Sequence, residues 1–348
     1  MLAGLESRYT ACRTIMIAGQ ITEPRRIDLV EMPLPQPGDG EILVKVEVGS
    51  ICGSDLPYFL VDRAHPSIAD LPVPLPPALS LHELIGTVAQ TRSRRFREGD
   101  RVLALPYKHR GLSEYFLSHQ ENAVPIPKGP GERLVLSQPL GTVIHACLKL
   151  PNLLGQTAVI LGQGPIGQLF SALLSRMGAL RIIAVDPIPE RLGVARRMGA
   201  THTIGEDAAK ATEMVHELTG GRGADLVVEA VGHAEAFKAA MRLARRNGTV
   251  IAFGLPHRAQ YVVEINEFFY NEGRLINSVG PDVQRDFPIA VEMIAAGLID
   301  VSPLVTHRFH WSHAQDAFAI FADRRDGAIK VILNFDGNAP GCDETIEA

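Results

Sequence analysis

Charge of one sign, cysteine pairs, internal repeats and long apolar runs are all missing from this chain, and each absence removes a class of protein. Its 348 residues carry 34 Lys and Arg against 39 Asp and Glu, a net charge of −5, so no basic field gathers nucleic acid or an anionic membrane surface. The longest apolar runs break well short of the roughly 20 residues that span a bilayer. Glu6, Arg8 and Arg13 interrupt the N-terminal segment, which therefore lacks the continuous apolar centre of a secretory signal. Four cysteines, at 12, 52, 147 and 342, form no CxxC pair and no disulfide-rich spacing. That usage fits a reducing compartment, and a cytoplasmic protein is the expectation. What remains is an ordinary globular chain, 46% apolar and 21% charged, long enough for about two domains.

The richest stretch is Val159 to Asp186, VILGQGPIGQLFSALLSRMGALRIIAVD. Val159–Leu161 reads as a buried strand, a helix follows from about Ile166 to Met177, and Ile182–Val185 reads as the next strand. Between the first strand and the helix lies GQGPIG, with Gly162, Gly164, Pro165, Ile166 and Gly167. Gly162 permits the tight bend, Gly164 lets the backbone approach a pyrophosphate, and Gly167 lets helix and strand pack closely. The helix start offers unpaired N–H groups to the anion. Asp186 ends the second strand at the spacing of a carboxylate that accepts from a ribose diol, which favours NAD over NADP. Arg191 is the counter-argument, since a base there could meet a 2′-phosphate; the reading adopted lays it along the adenine. A glycine turn with no ligand is the bland alternative.

The text changes rhythm along the chain. From Ile42 to about Val124 it is rich in short strands and loops, with EILVKVEVGSIC, ELIGTVAQ and DRVLALP separated by glycine, proline and charged clusters. The proline-dense segment Leu71 to Ser80 reads as an ordered loop delivering His82 and Glu83. From Gln156 onward strands alternate with helices, in TAVILG, RIIAVD, ATHTIG, ADLVVEAVG, NGTVIAFG and RLINSVG, the pattern of a parallel sheet with right-handed crossovers. After about Phe287 the order is helix, short strand, helix and a final strand AIKVILNF that returns to the first domain. The division expected is residues 1–150, 151–287 and 288–348, the last completing the first, with a ligand cleft between the lobes.

Cys52 in GSICGSD and His82 and Glu83 in LSLHELIG put two soft or borderline donors and a carboxylate in the same β-rich domain. Zinc suits such a set, and a catalytic zinc takes about three protein ligands and keeps one position open. A buried thiol and a core histidine are the bland alternative.

Together these blocks resemble the medium-chain dehydrogenase/reductase superfamily, in particular the zinc-dependent alcohol and polyol dehydrogenases related to sorbitol dehydrogenase. EILVKVEVGSICGSD, HELIGTV, EGDRV, SEYF, LGQGPIG, DPIPERL, RRMGATHTI, GTVIAFG and AIKVIL carry the resemblance over nearly the whole chain. It implies an α/β fold, a Rossmann doubly wound parallel sheet plus a β-rich GroES-like catalytic domain. It implies Cys52 and His82 as zinc ligands, Glu83 as an inner or alternate ligand, Ser54 as the hydroxyl relaying the substrate's proton, and Asp55 as the carboxylate that orients His82. Tyr58 would lie near the substrate. Ile166, Asp186, Arg191, Phe253, Gly254, Leu255, Ser278, Val279 and Gly280 would follow the NAD site. The reaction implied is hydride transfer between nicotinamide and a secondary alcohol or its carbonyl, on a polyol or sugar derivative. The apolar TVIAFGLP region implies a homodimer or homotetramer. No nucleic-acid or membrane partner is expected.

Four departures bear on that expectation. Gln138 stands where the family usually has a glutamate or cysteine zinc ligand, and as a neutral, weak ligand there it is expected to lower zinc affinity. Leu81 replaces the usual glycine before the histidine, a change expected to shift the backbone delivering His82. Pro57 stands where a histidine often extends the proton relay. Only eleven residues, Leu103 to Ser113, fill the place of the four-cysteine lobe, so one catalytic zinc and no structural zinc is expected. The short replacement supplies Lys108, His109 and Arg110, and the upstream loop supplies Arg63 and His65. A solvated face is the ordinary reading of these bases, and an anion site for the substrate is the sharper one. His145, on apolar helical text, is expected to be packed rather than catalytic. Two rival functions are a zinc-free reductase acting on an activated double bond and a non-catalytic NAD-binding protein.

Overall fold

The computed structural model describes residues 14–335, and Cys12 and Cys342 lie outside them. Fifteen strands run along the described chain: β1 (Ile15–Glu23), β2 (Arg26–Pro33), β3 (Glu41–Ser50), β4 (Glu83–Thr91), β5 (Arg101–Ala104), β6 (Tyr115–His119), β7 (Ala123–Pro125), β8 (Thr157–Leu161), β9 (Arg181–Val185), β10 (His202–Ile204), β11 (Ala224–Glu229), β12 (Ala244–Ala252), β13 (Arg274–Asn277), β14 (Val305–His310) and β15 (Lys330–Asn334). They divide between two units. Among the described residues, the first holds 14–63, 68–136 and 307–335; the second holds Ala64–Ser67 and Ser137–Thr306.

In the first unit β3 is the hub. It pairs antiparallel with β4 along one edge and with β6 and β15 along the other. The sheet continues through β5 to β7. Strand β15 returns from the end of the chain and matches Ile332 to Ser50 and Asn334 to Val48. Apolar side chains from this sheet enclose a core that includes Ile42, Val44, Phe59, Phe116 and Phe318, and the Phe59 and Phe318 rings lie 5.4 Å apart. The hairpin β1–β2, with Arg25 left-handed in its turn, precedes the first strand expected from the sequence. Strand β2, RIDLVEMP, buries only Ile27, the rest being intermediate or exposed, with Leu29 exposed.

The second unit is a six-stranded parallel sheet in the order β10-β9-β8-β11-β12-β13. Both faces are covered, so β8 (TAVIL) and β11 (ADLVVE) are buried at every position. All six expected strands are present. The order reverses between β8 and β11, the switch point at whose carboxyl ends ligands settle in such sheets. Unit boundaries fall at 136/137 and 306/307, whereas the change of rhythm in the sequence suggested 150/151 and 287/288. The reason is packing: the helix Ser137–Cys147 lies against the helices Val283–Ala295 and Pro165–Arg176, which ties all three to the parallel sheet. Among the described residues no helix is long and apolar enough to cross a membrane.

Candidate functional site

Strand β3 ends at Ser50, and the chain turns immediately through Cys52 into a 3₁₀ turn, Gly53–Asp55, that carries Ser54 and Asp55. Asp55 is fully buried and organises everything around it. Its Oδ2 accepts from the Cys52 N–H at 2.8 Å, and its Oδ1 accepts from the Leu81 N–H at 3.1 Å and faces His82 Nδ1 at 3.2 Å. One carboxylate thus fixes both segments that bear the candidate metal donors, and it leaves His82 Nε2 for a cation. Burial pushes the Asp55 carboxyl up, yet the His82 imidazole and the two backbone donors hold it below its ordinary value. Burial likewise lowers the His82 pKa, and Asp55 with Cys52 more than reverses this, lifting it well above the usual value. A cation arriving at the metal-free site therefore displaces a proton.

The donor atoms of Cys52, His82 and Glu83 lie within 4.8 Å of one another. Glu83 is fully buried, and its two oxygens are unlike. Oε2 accepts from Lys330 Nζ at 2.5 Å and from the Ser50 hydroxyl, while Oε1 is buried with no hydrogen-bond partner. A buried carboxylate oxygen with no donor costs free energy unless a cation or a proton meets it. A carboxylate with one such orphaned oxygen, close to a thiol and to an imidazole already held by Asp55, fits a zinc ion. Lys330, itself 1% exposed and anchored to the Ile51 carbonyl, was not found by sequence reasoning, because a lone lysine in AIKVIL reads as a surface residue.

Leu81, in the place that the resemblance gives to a glycine, has a φ of +79°, in the left-handed region, and its side chain is fully buried. The chain carries the strain of that conformation, about 1–2 kcal/mol for a residue with a Cβ. The hydrogen bond from its N–H to Asp55 and the packing of its side chain against Gly49 hold it there.

Ser54 is half-buried in the same turn as Cys52, and Tyr58 is buried on the short helix Leu56–Leu60. Of the basic residues at 108–110, His109 is singled out: its ring centroid lies 4.7 Å from that of His82 and 6.4 Å from that of Tyr58. Burial and the neighbouring His82 depress its pKa. Lys108 and Arg110 are exposed. Arg63 is occupied in its own loop, donating to the carbonyls of Ile68, Ala69 and Leu71. In the second unit His65 meets Ser67 at 2.7 Å.

Gln138, the remaining expected ligand, belongs to the second unit, buried in the first turn of the helix Ser137–Cys147. His145, on the same helix, is more than packed: its Nδ1 lies 2.9 Å from Asp286 Oδ2.

At the switch point the glycine turn behaves as its spacing predicts. Gly162 is left-handed (φ +88°), and a Cβ on Gly167 would overlap the Gly162 carbonyl oxygen. Around Gly164 nothing lies within 4 Å of where a Cβ would be, which leaves room for a ligand at the start of the helix Pro165–Arg176. Asp186 accepts from the Gln163 N–H at 2.7 Å and from the Ile188 N–H at 2.9 Å, and Arg191 Nη1 lies 3.9 Å away. The Phe253 ring packs edge-on to Phe170 at 5.1 Å, so its side chain serves the core. Ser278 meets Lys149 Nζ at 3.1 Å, and Leu255 and Val279 are exposed. Glu229, at the end of β11, was missed: its Oε1 accepts from the N–H groups of Val231 and Gly232, both at 2.7 Å, beneath the loop where Gly254 packs on Gly232.

Two family models match the chain. The alcohol dehydrogenase GroES-like domain matches residues 38–148 and the zinc-binding dehydrogenase model residues 165–296. The chain is 29% identical to an L-threonine 3-dehydrogenase of Bacillus velezensis over 88% of its length and 94% of that protein. It is 28% identical to a sorbitol dehydrogenase of Bacillus subtilis over 91% of its length and 97% of that protein. Among solved structures, the L-idonate 5-dehydrogenase of Escherichia coli K-12 shares the fold with a TM-score of 0.79 at 23% identity, covering 92% of this chain and 98% of that one. An alcohol dehydrogenase of Thermus sp. ATN1 does so at 0.81 and 23%, covering 92% and 100%. Catalytic-domain and cofactor-domain models in the expected order, full-length relatives and a donor set fit for zinc place the chain in one family: it belongs to the zinc-binding medium-chain dehydrogenase/reductase superfamily.

Proposed function

We propose that this protein is a zinc- and NAD-dependent dehydrogenase that moves a hydride between nicotinamide and the carbon bearing a secondary hydroxyl or carbonyl of a polyol or sugar derivative. The observation that carries it is the Asp55-centred cluster, which joins a thiol, an oriented imidazole and an orphaned carboxylate oxygen in one donor set. Zinc, when bound, supplies Lewis-acid polarisation of an alcohol or carbonyl oxygen, and NAD supplies the hydride acceptor.

The chain's own residues do the rest. Cys52 and His82 hold the cation, and Asp55 fixes the tautomer and direction of His82. Glu83 stands by with one oxygen tethered to Lys330 and the other free. Ser54, two residues from Cys52, accepts the substrate's hydroxyl proton and passes it to water, since Pro57 cannot extend the relay. Gly162, Gly164 and Gly167 seat the pyrophosphate on the helix start, and Asp186 receives the ribose diol. With a carboxylate at 186 a 2′-phosphate is repelled, which favours NAD over NADP.

Self-association is part of this reading. Edge strand β13 and its surroundings leave Leu275, Phe269, Tyr270 and Val279 exposed, the last three each above 70%, a patch suited to a second copy of the chain. The reading is a dimer or tetramer, with a cytoplasmic location resting on the cysteine usage of the sequence.

The test is zinc-loaded enzyme with NAD and a panel of polyols, sugar acids and polyol phosphates, read as NADH formation. Turnover of at least one member, abolished in Ser54→Ala and Cys52→Ala, supports the reading. NADH binding with no turnover of any member contradicts it.

A further inference from the structure

The segment between β5 and β6 is pressed against the strand that leads into His82. Leu112 donates its N–H to the carbonyls of Ala78 and Ser80, at 2.9 and 2.8 Å, and Gly111 donates to Ser80 at 3.3 Å. A Cβ at Gly111 would fall 2.5 Å from the Leu81 carbonyl oxygen, so only glycine allows so close an approach. Just before it, Lys108 and His109 both take left-handed backbone, with φ of +51° and +57°. Consecutive non-glycine residues in that region are held there by their surroundings, and such strain gathers at functional sites. Its product is the seating of the His109 ring against His82, with nitrogens of both rings and a carboxylate oxygen of Asp55 within 4.8 Å of one another.

We propose that His109 is a ligand of the same cation as Cys52 and His82, filling the place that the family likeness gives to residue 138, where this chain has a neutral glutamine. The inference rests on the metal-dehydrogenase reading above. Two donor sets, Cys52–His82–Glu83 and Asp55–His82–His109, share His82. Asp55 is spent on three donors, so in the second set it orients while His109 binds. Two imidazole nitrogens on one tetrahedral zinc stand roughly 3.4 Å apart, so binding requires the exposed His109 side chain to turn towards the cation held by Cys52 and His82. Glu83 is paired with Lys330, and a neutral imidazole at the third position brings one negative charge fewer than the acidic or cysteine ligand that the family likeness gives there. The cation keeps more of its positive charge and draws more strongly on a substrate oxygen. A solvated surface histidine would need neither the glycine approach nor the strained backbone.

The experiment is a zinc titration of the full-length, metal-stripped protein against a chromophoric chelator, with the ligand-field spectrum of the cobalt(II)-loaded form as second readout. Variants are His109→Ala, His109→Cys and Cys52→Ala, and thermal unfolding of each metal-free form controls for folding. The proposal predicts that His109→Ala weakens zinc by at least about 10-fold and alters the cobalt spectrum. His109→Cys, which restores a donor, recovers affinity and adds thiolate-to-cobalt absorption. Wild-type affinity and spectrum in His109→Ala, with zinc lost only in Cys52→Ala, overturns His109 as a ligand and leaves the metal-dehydrogenase reading intact. Absence of zinc binding in the wild type removes both.

Discussion

Lys330 and Glu83 are paired inside the first unit, ammonium to carboxylate at 2.5 Å, with the two side chains 1% and 0% exposed. Strand β15 brings Lys330 back to the candidate metal donors, where it also donates to the Ile51 carbonyl at 3.0 Å. Lys330→Met leaves a buried carboxylate unpaired and is expected to cost about 3–5 kcal/mol in urea denaturation of the metal-free protein. The double variant with Glu83→Gln recovers most of that loss. Equal stability of Lys330→Met and wild type would show that the pair carries no such weight.

Asp55→Asn keeps the size of the side chain and removes the charge that holds His82. Zinc affinity is expected to fall about 10- to 100-fold, the range for partners that orient metal-bound histidines. Competition with a chelator measures this. An unchanged affinity would mean that His82 is oriented by something other than Asp55.

The glycine turn separates folding from binding. Gly164 has φ of −68°, allowed for any residue, and open space where a side chain would go. Gly164→Ala is therefore expected to stay within about 0.5 kcal/mol of wild-type stability. It should weaken NADH binding at least about 10-fold, or roughly 1.4 kcal/mol, by blocking the pyrophosphate. Gly167→Ala meets the Gly162 carbonyl instead and should destabilise the protein by about 1–3 kcal/mol. Calorimetric titration and thermal unfolding of the two variants distinguish the effects.

Those glycines were legible because a phosphate turn is local, with strand, bend and helix inside thirty residues. The same holds for the six parallel strands, whose alternation with helices needs no partner to be recognised. His109 and Lys330 were not legible, because their neighbours are set by pairing of strands remote in sequence. Nothing in YKHRG announces that Gly111 will rest on Leu81, and nothing in AIKVIL announces that Lys330 will face inward. The hairpin β1–β2 lies before the first strand expected, because the charged residues in RRIDLVEMP and its single buried position leave no clear strand pattern. Leu81 is a further case, since its positive φ is supported by hydrogen bonding to Asp55 and burial of the side chain, neither of which the local sequence announces.

Thiol chemistry follows from position. Cys147 is buried, which pushes its thiol pKa well up and keeps it protonated, while Cys52 is half-exposed. Iodoacetamide followed by peptide mapping should label Cys52 in metal-stripped protein and leave Cys147 unmodified at neutral pH. Zinc should protect Cys52. Labelling of Cys52 at the same rate with and without zinc would exclude it as a ligand.

The second unit has its own acid sensitivity. Burial raises the Asp225 carboxyl, but the Thr157 N–H at 2.8 Å and Arg245 Nε at 2.6 Å hold its pKa below the ordinary value. A carboxyl depressed in the folded state stabilises above its unfolded pKa, and that stability disappears as pH falls through the folded value. Asp225→Asn should therefore lower unfolding stability by about 1 kcal/mol at pH 7, with the difference narrowing in the acid range. A constant difference from pH 7 to pH 3 would contradict this assignment.

The most direct measurement is zinc per subunit, by elemental analysis, in wild type and Cys52→Ala purified without a metal-binding tag. About one zinc in the wild type that vanishes in the variant is the predicted result. No zinc in either protein, or zinc retained in Cys52→Ala, would contradict the metal centre on which the account depends.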